Sequence, residues 1–435
     1  MKTSVMWFRR DLRLEDNTAL QHALSAGFPV LPLFIFDREI LDGLSRNDPR
    51  VSFIYHHIRE IDRRLRSLGS SLLVMQGHPV HAWKEILRKY EVTGVHLNKD
   101  YEPYALERDK RIESMLKERG IPLYRFKDQV IFEEDEVVKN DGEPYTVFTP
   151  FKRKWLEHFH GIKQSPDSGL DADNFLSVNH PFPELSELGF SHSAQRVPPY
   201  DLSVVRQYAS FRDFPAADAT SHLSPHLRFG TVSIRKIIAG LDSENETFLS
   251  ELIWREFFMQ ILFHFPHVVN QNFHVKYNGI AWRNNEQEFT RWCNGETGYP
   301  LVDAGMRQLN ETGIMHNRVR MVTASFLCKH LLVDWRWGEA YFAGKLLDYE
   351  LSSNNGNWQW AAGTGCDAAP YFRIFNPHEQ LKKFDRNLEY VHRWVPEYST
   401  NSAIRPMVDH KTARARALKV YKAGIENYLP DSAEK

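Results

Sequence analysis

The sequence predicts an α/β N-terminal domain, a doubly wound parallel sheet, followed by an all-α C-terminal domain. Three observations predict it. Short apolar runs alternate with helical patterns up to residue 130. Beyond residue 200 no strand alternation of any length remains, and eight of the eleven tryptophans fall between Trp254 and Trp394. A chain of 435 residues, 42% hydrophobic and 13% aromatic, can bury the cores of two or three domains.

In chain order, TSVMWF (3–8), PVLPLFIF (29–36), SLLVM (71–75), TGVHL (93–97) and PLYRF (122–126) read as strands. Residues 51–68 and 102–119 carry the helical pattern between them. A nucleotide-binding sheet is the natural expectation, yet RRDLRLEDN follows the first strand where a GxGxxG would stand. Ordinary dinucleotide binding is therefore not predicted. Residues 131–200 lose periodicity and read as an inter-domain connector laid over the surface. Within it FTPFKRKW (148–155) is basic and aromatic. Its KRK reads either as a solvated charge run or as a contact to DNA phosphates. Residues 201–435 form the helical domain, with 251–265 its clearest helix.

Net charge is −1, so no global field draws the protein to nucleic acid, and DNA affinity has to come from a local basic patch. Cys293, Cys328 and Cys366 lack metal or redox spacing. They read as free thiols in a reducing compartment, and no metal site is predicted. FRRDLRLED occupies the place of a signal peptide's apolar run, and the longest apolar runs are too short to span a bilayer. A cytoplasmic location is expected.

The chemistry concentrates in residues 313–377. On a helix, Asn317, Arg320 and Met321 share one face at i, i+3 and i+4. A buried guanidinium needs a partner, and Asp348 is the candidate for Arg320. Asn354, Trp358 and Trp360 follow. A tryptophan-rich core with satisfied polar groups accounts for these residues as well as a binding site does. Upstream, Thr220, Ser221, His222, Leu223 and Ser224 precede a helix and suit either a phosphate or a plain cap. Glu251, Trp254, Arg255 and Phe258 line one face of the helix at 251–265.

MHNRVRM, NNGNWQW and DAAPYFRIFNP resemble the photolyase/cryptochrome family, most of all its bacterial class I cyclobutane pyrimidine dimer branch. The resemblance runs from WFRRDLRLEDN to ARARAL, nearly the whole chain. It implies light-driven DNA repair, in which reduced FAD passes an electron to a flipped pyrimidine dimer and splits it. The alternatives are a blue-light receptor of the cryptochrome type and a (6-4) photolyase. By resemblance, Tyr208, residues 220–224, Glu251, Arg255, Asn317, Arg320, Asp348, Glu350 and Asn354 hold the FAD, with Asn354 facing flavin N5. Trp282, Trp335 and Trp358 match an electron-transfer triad, with Trp358 innermost and Trp282 at the surface.

Glu251, Asn317, Met321, Trp254 and Trp360 would take the lesion, and Trp254, Arg318 and Arg373 would contact the DNA. Glu251 is expected to be protonated by a dry pocket, so that it can donate to a thymine carbonyl. Asn317, Met321 and Asn354, and the end of the chain soon after ARARAL, favour dimer repair over the alternatives. DNA containing pyrimidine dimers is the expected partner of a monomer with no obligate protein partner and no membrane contact. A second, antenna chromophore of unknown identity is possible. Tyr104 and Ala105 stand where a relative holds folate, which argues against folate bound in that manner.

Overall fold

The five apolar runs become five strands: β1 Lys2–Phe8, β2 Val30–Asp37, β3 Leu73–Gly77, β4 Glu91–Asn98 and β5 Leu123–Phe126. In this computed structural model, which describes residues 1–161, 171–400 and 405–428, they form one parallel sheet. The strand order is β3-β2-β1-β4-β5. Parallel crossovers put helices on both faces, which is why the strands read as continuous apolar runs. In β2 every residue is buried, and in β1 only Lys2 is exposed. Val5, Trp7, Leu31, Leu33 and Ile35 pack on one face with Trp83 and Ile112. Met6, Phe8, Phe34 and Phe36 pack on the other with Tyr55 and Ile58. Helix Pro49–Ser67 starts where its sequence dictates, since Asp48 accepts the N–H of Arg50 and Pro49 opens the first turn.

The charges of RRDLRLEDN replace a glycine turn with a side-chain network. Asp11 accepts from Nδ2 of Asn98 at 2.6 Å and from the N–H of Arg9 at 2.6 Å. Burial raises the Asp11 carboxyl, and that N–H opposes the shift. Arg9 pairs with Asp109 at 2.6 Å, and Arg13 with the buried Asp128 at 2.7 Å. Arg235 reaches the same Asp128 at 2.9 Å. The loop is thereby tied to β4 and to the turn after β5.

Two compact units result. One comprises Met1–Val137, Trp155–Tyr200 and His222–Asp242, the other Val138–Lys154, Asp201–Ser221 and Ser243–Lys435. These units depart from the division expected at residues 130 and 200. Residues 171–200 belong to the first unit. Phe175 pairs with Val30, and the N–H of Leu176 donates to the Val30 carbonyl at 2.9 Å. Phe175, Leu185 and Leu188 are buried, spaced too irregularly to announce an element. Residues 162–170 of the expected connector lie outside the described residues. FTPFKRKW folds as part of helix Phe148–His158, and Lys152 pairs with Glu246 at 3.0 Å.

Helices build the second unit. Helix Glu246–His264 starts five residues before its expected first residue and buries side chains around most of its circumference. It meets helix Leu351–Ala362 at Gly356, where a Cβ would stand 2.2 Å from the ring of Phe258. Trp292, Leu301, Met306, Trp335, Phe342 and Trp358 share its main core. The three cysteines are free and buried, and burial pushes the thiols of Cys293 and Cys366 up to about 12. Among the described residues no helix is long and apolar enough to cross a membrane, and no group of side chains could hold a metal ion.

Candidate functional site

Helix Asn317–Ser325 begins at His316, whose Nδ1 accepts the N–H of Arg318 at 3.2 Å. Only a neutral imidazole with a bare Nδ1 can do this. Burial, with the guanidinium groups of Arg320 and Arg318 nearby, pulls His316 down to about 4. Arg320 reaches Asp348 at 2.9 Å and the Met315 carbonyl at 2.8 Å, the ion pair that the sequence suggested. Asn317 is exposed, while Arg320 and Met321 are half-buried. The face they share is thus open to solvent in part.

Helix Leu351–Ala362 follows directly on Asp348 and Glu350. Glu350 pairs with Arg255 of helix Glu246–His264 at 3.2 Å. Asn354, one turn in, donates Nδ2 to Oε1 of Glu339 at 2.9 Å and to the Glu339 carbonyl at 3.2 Å. Burial raises the Glu339 carboxyl, and the bond from Asn354 opposes it. The amide is locked by these bonds, so Oδ1 is the atom it turns away from Glu339 as an acceptor. Sequence reasoning missed Glu339; its signal was a lone carboxylate within the aromatic run WRWGEAYF.

The Glu251 side chain is 30% exposed and pairs with Arg212 at 2.6 Å. Arg212, a second residue that sequence reasoning missed, also lies 5.4 Å over the ring of Tyr208. Burial, then the charge of Glu251, pushes Tyr208 up to about 12. Trp254 stacks on Phe148 at 3.6 Å and 9°, so one face of its ring is already covered. Phe258 lies 5.4 Å from Trp254. The sequence marks Phe148 only as part of a basic stretch.

Arg318 pairs with Asp213 at 2.5 Å and stands 4.4 Å over the ring of Phe384. Arg373 is exposed. Its carbonyl accepts Nζ of the buried Lys329 at 3.0 Å, and burial brings that ammonium down to about 8. Trp335 and Trp358 are buried, and Trp282 and Trp360 are half-buried. Trp335 donates Nε1 to Asn272 at 2.8 Å. Trp358 lies 4.9 Å from Phe342, and Trp282 is edge-on to Tyr421 at 5.8 Å.

The segment 220–224 differs from a long helix N-terminus. His222, at φ 50, precedes the seven-residue helix Leu223–Phe229 and makes no side-chain cap. Thr220 and Ser221 belong to the second unit, and His222, Leu223 and Ser224 to the first. So short a helix sums few peptide dipoles, and any phosphate affinity here rests on individual N–H and hydroxyl groups. In the α/β unit Tyr104 donates its hydroxyl to Asp37 at 2.5 Å, and Ala105 is buried.

Comparison with known proteins matches these two parts separately. Residues 4–169 match the model of the DNA photolyase domain, and residues 248–405 the FAD binding domain of DNA photolyase. A deoxyribodipyrimidine photo-lyase of Vibrio cholerae is 37% identical, over 96% of this chain and 99% of its own. The crystal structure of a bacterial class III photolyase from Agrobacterium tumefaciens superposes with a TM-score of 0.84 at 33% identity, covering 98% of each chain. That of an archaeal photolyase from Sulfolobus tokodaii with two FAD molecules gives 0.81 at 34%, covering 97% of this chain and 99% of its own. This chain belongs to the DNA photolyase family. Its second unit carries the family's FAD-binding domain.

Proposed function

We propose that this protein is a light-driven DNA repair enzyme that splits cyclobutane pyrimidine dimers with FAD. Reduced FAD, when bound, supplies the electron that opens the cyclobutane ring and receives it back, so the reaction has no net redox change. The observation that carries the reading is the locked amide of Asn354. With Nδ2 held by Glu339, its Oδ1 suits an N–H such as flavin N5–H without adding a charge beside the ring. Asp348 with Arg320, and Glu350 with Arg255, bring two more charge pairs to the same end of helix Leu351–Ala362.

Glu251, Asn317, Met321, Trp254 and Trp360 are assigned to the flipped dimer. Extruding it costs a few kcal/mol of stacking, least at a damaged step. Glu251 and Asn317 would meet the base edges, the Glu251 carboxylate accepting a base N–H and the Asn317 amide donating to the carbonyl on which negative charge grows. Arg318 and Arg373 would grip phosphates. Trp358, Trp335 and Trp282 would refill the flavin with electrons. Asn317 and Met321 support a dimer substrate over a (6-4) lesion, in an enzyme of the class I type working as a monomer on cytoplasmic DNA. Blue light should clear dimers from DNA incubated with the purified FAD-loaded protein. Dimers that persist under illumination with fully reduced protein would refute this function.

A further inference from the structure

Arg212 and Asp213 are consecutive, opposite in charge, and each engages a different residue assigned to the damaged DNA. Arg212 holds Glu251 at 2.6 Å, and Asp213 holds Arg318 at 2.5 Å. The two targets lie on separate helices, Glu246–His264 and Asn317–Ser325. One peptide step therefore links the residue proposed to read the base edge with the residue proposed to grip the phosphate.

The environment of Arg318 shows how fully it is engaged. Its guanidinium lies over Phe384, its Nη1 is 3.7 Å from Sδ of Met321, and its Nε is buried without a hydrogen-bond partner among the described residues. Asp213 is its carboxylate partner, and that side chain is 39% exposed. The Arg318 side chain is itself 20% exposed, so the pair is in part open to solvent.

We propose that Asp213 is a specificity-determining residue that occupies Arg318 as an internal stand-in for DNA phosphate. This deepens the proposed repair function and rests on it. A phosphate of undamaged duplex that takes Arg318 only trades one anion for another, so the contact adds little to affinity. A flipped dimer behaves differently. The N–H on its base edge draws the Glu251 carboxylate away from Arg212, and the Arg212–Asp213 step moves with it. Arg318 is then released toward the phosphate beside the lesion. The grip on the backbone is thereby made conditional on the base being present, which is discrimination by an unfavourable contact with the wrong ligand.

The test compares the affinity of FAD-loaded protein for a dimer-containing duplex and for the same duplex undamaged, across a series of salt concentrations. Asp213→Asn should tighten binding of the undamaged duplex about threefold to tenfold. Its salt dependence should steepen by about one phosphate contact as Arg318 becomes available. Affinity for the dimer should change less, so discrimination falls, and Asp213→Ala should give the same order. In an Arg318→Ala background, Asp213→Asn should have no such effect. An equal gain for both duplexes, or the same gain without Arg318, would mean that only a repelling charge had been removed, and would overturn the proposal. Discrimination left intact by both Asp213 variants with normal FAD content overturns it as well. If the unsubstituted protein fails to discriminate, the repair function itself is what falls.

Discussion

The indole of Trp358 rests against the α-carbon of Gly338, where a Cβ would come within 2.2 Å of the ring. Gly338 lies on helix Trp335–Lys345, three residues after Trp335. The helix that carries one tryptophan of the proposed electron path thus also makes room for the next. Leu327 closes the same spot, 2.6 Å from that Cβ.

Gly338→Ala should therefore push the indole off its seat. Overpacking of this kind costs roughly 1–3 kcal/mol, so the melting temperature should fall and light-driven flavin reduction should slow. At Gly344, on the same helix, a Cβ would meet nothing within 4 Å. Gly344→Ala should be neutral or stabilising by up to about 1 kcal/mol. Equal effects at both positions in thermal melts would remove Gly338 as a packing determinant.

Trp358→Phe should abolish reduction of FAD by external reductant under light, while already reduced protein still repairs dimers. The reason is that the tryptophans refill the flavin and take no part in ring opening. Absorbance during illumination gives the first quantity, and dimer loss after chemical reduction gives the second. Unchanged photoreduction would exclude this path.

Glu251 and Arg212 should behave as a unit. Glu251→Ala, Glu251→Gln and Arg212→Ala should each lower dimer repaired per photon, by roughly threefold to tenfold for the loss of one hydrogen bond of about 1 kcal/mol. FAD content should hold. Full yield in both Glu251 variants would make Glu251 a packing residue.

His316 should make the protein acid-sensitive. An unfolded histidine binds a proton near 6.5, whereas the folded His316 does so only near 4. Between those values the unfolded state holds more protons, so stability is complete above 6.5 and is lost as pH falls toward 4. The loss amounts to roughly 3 kcal/mol. His57 and His96, also lowered to about 4, add to the same trend. His316→Asn keeps an N-cap acceptor and does not titrate, so its unfolding free energy should fall less steeply over this range. An identical pH slope in both proteins would show that His316 already carries its proton in the folded state.

Periodicity was enough for the sheet, because strands buried on both faces, as β1 and β2 are, have to be apolar nearly throughout. Composition likewise announced a helical, tryptophan-rich second half, and the need of a guanidinium for a carboxylate picked out Arg320 with Asp348. Motif resemblance supplied the family and the candidate flavin and lesion residues, which no spacing rule could have singled out. Only the tertiary structure decided what those residues touch. Glu251 meets Arg212 across 39 positions of chain, Arg318 meets Asp213 across 105, and Asn354 meets Glu339 across 15. Phe148 covers Trp254, and residues 171–200 dock onto the sheet domain although they carry no period. The physical reason is one of range. Hydrophobic period is a local property written in consecutive residues, whereas an ion pair or a ring stack depends on which helices the fold brings together. Many charged residues could serve as partner, and the sequence ranks none of them.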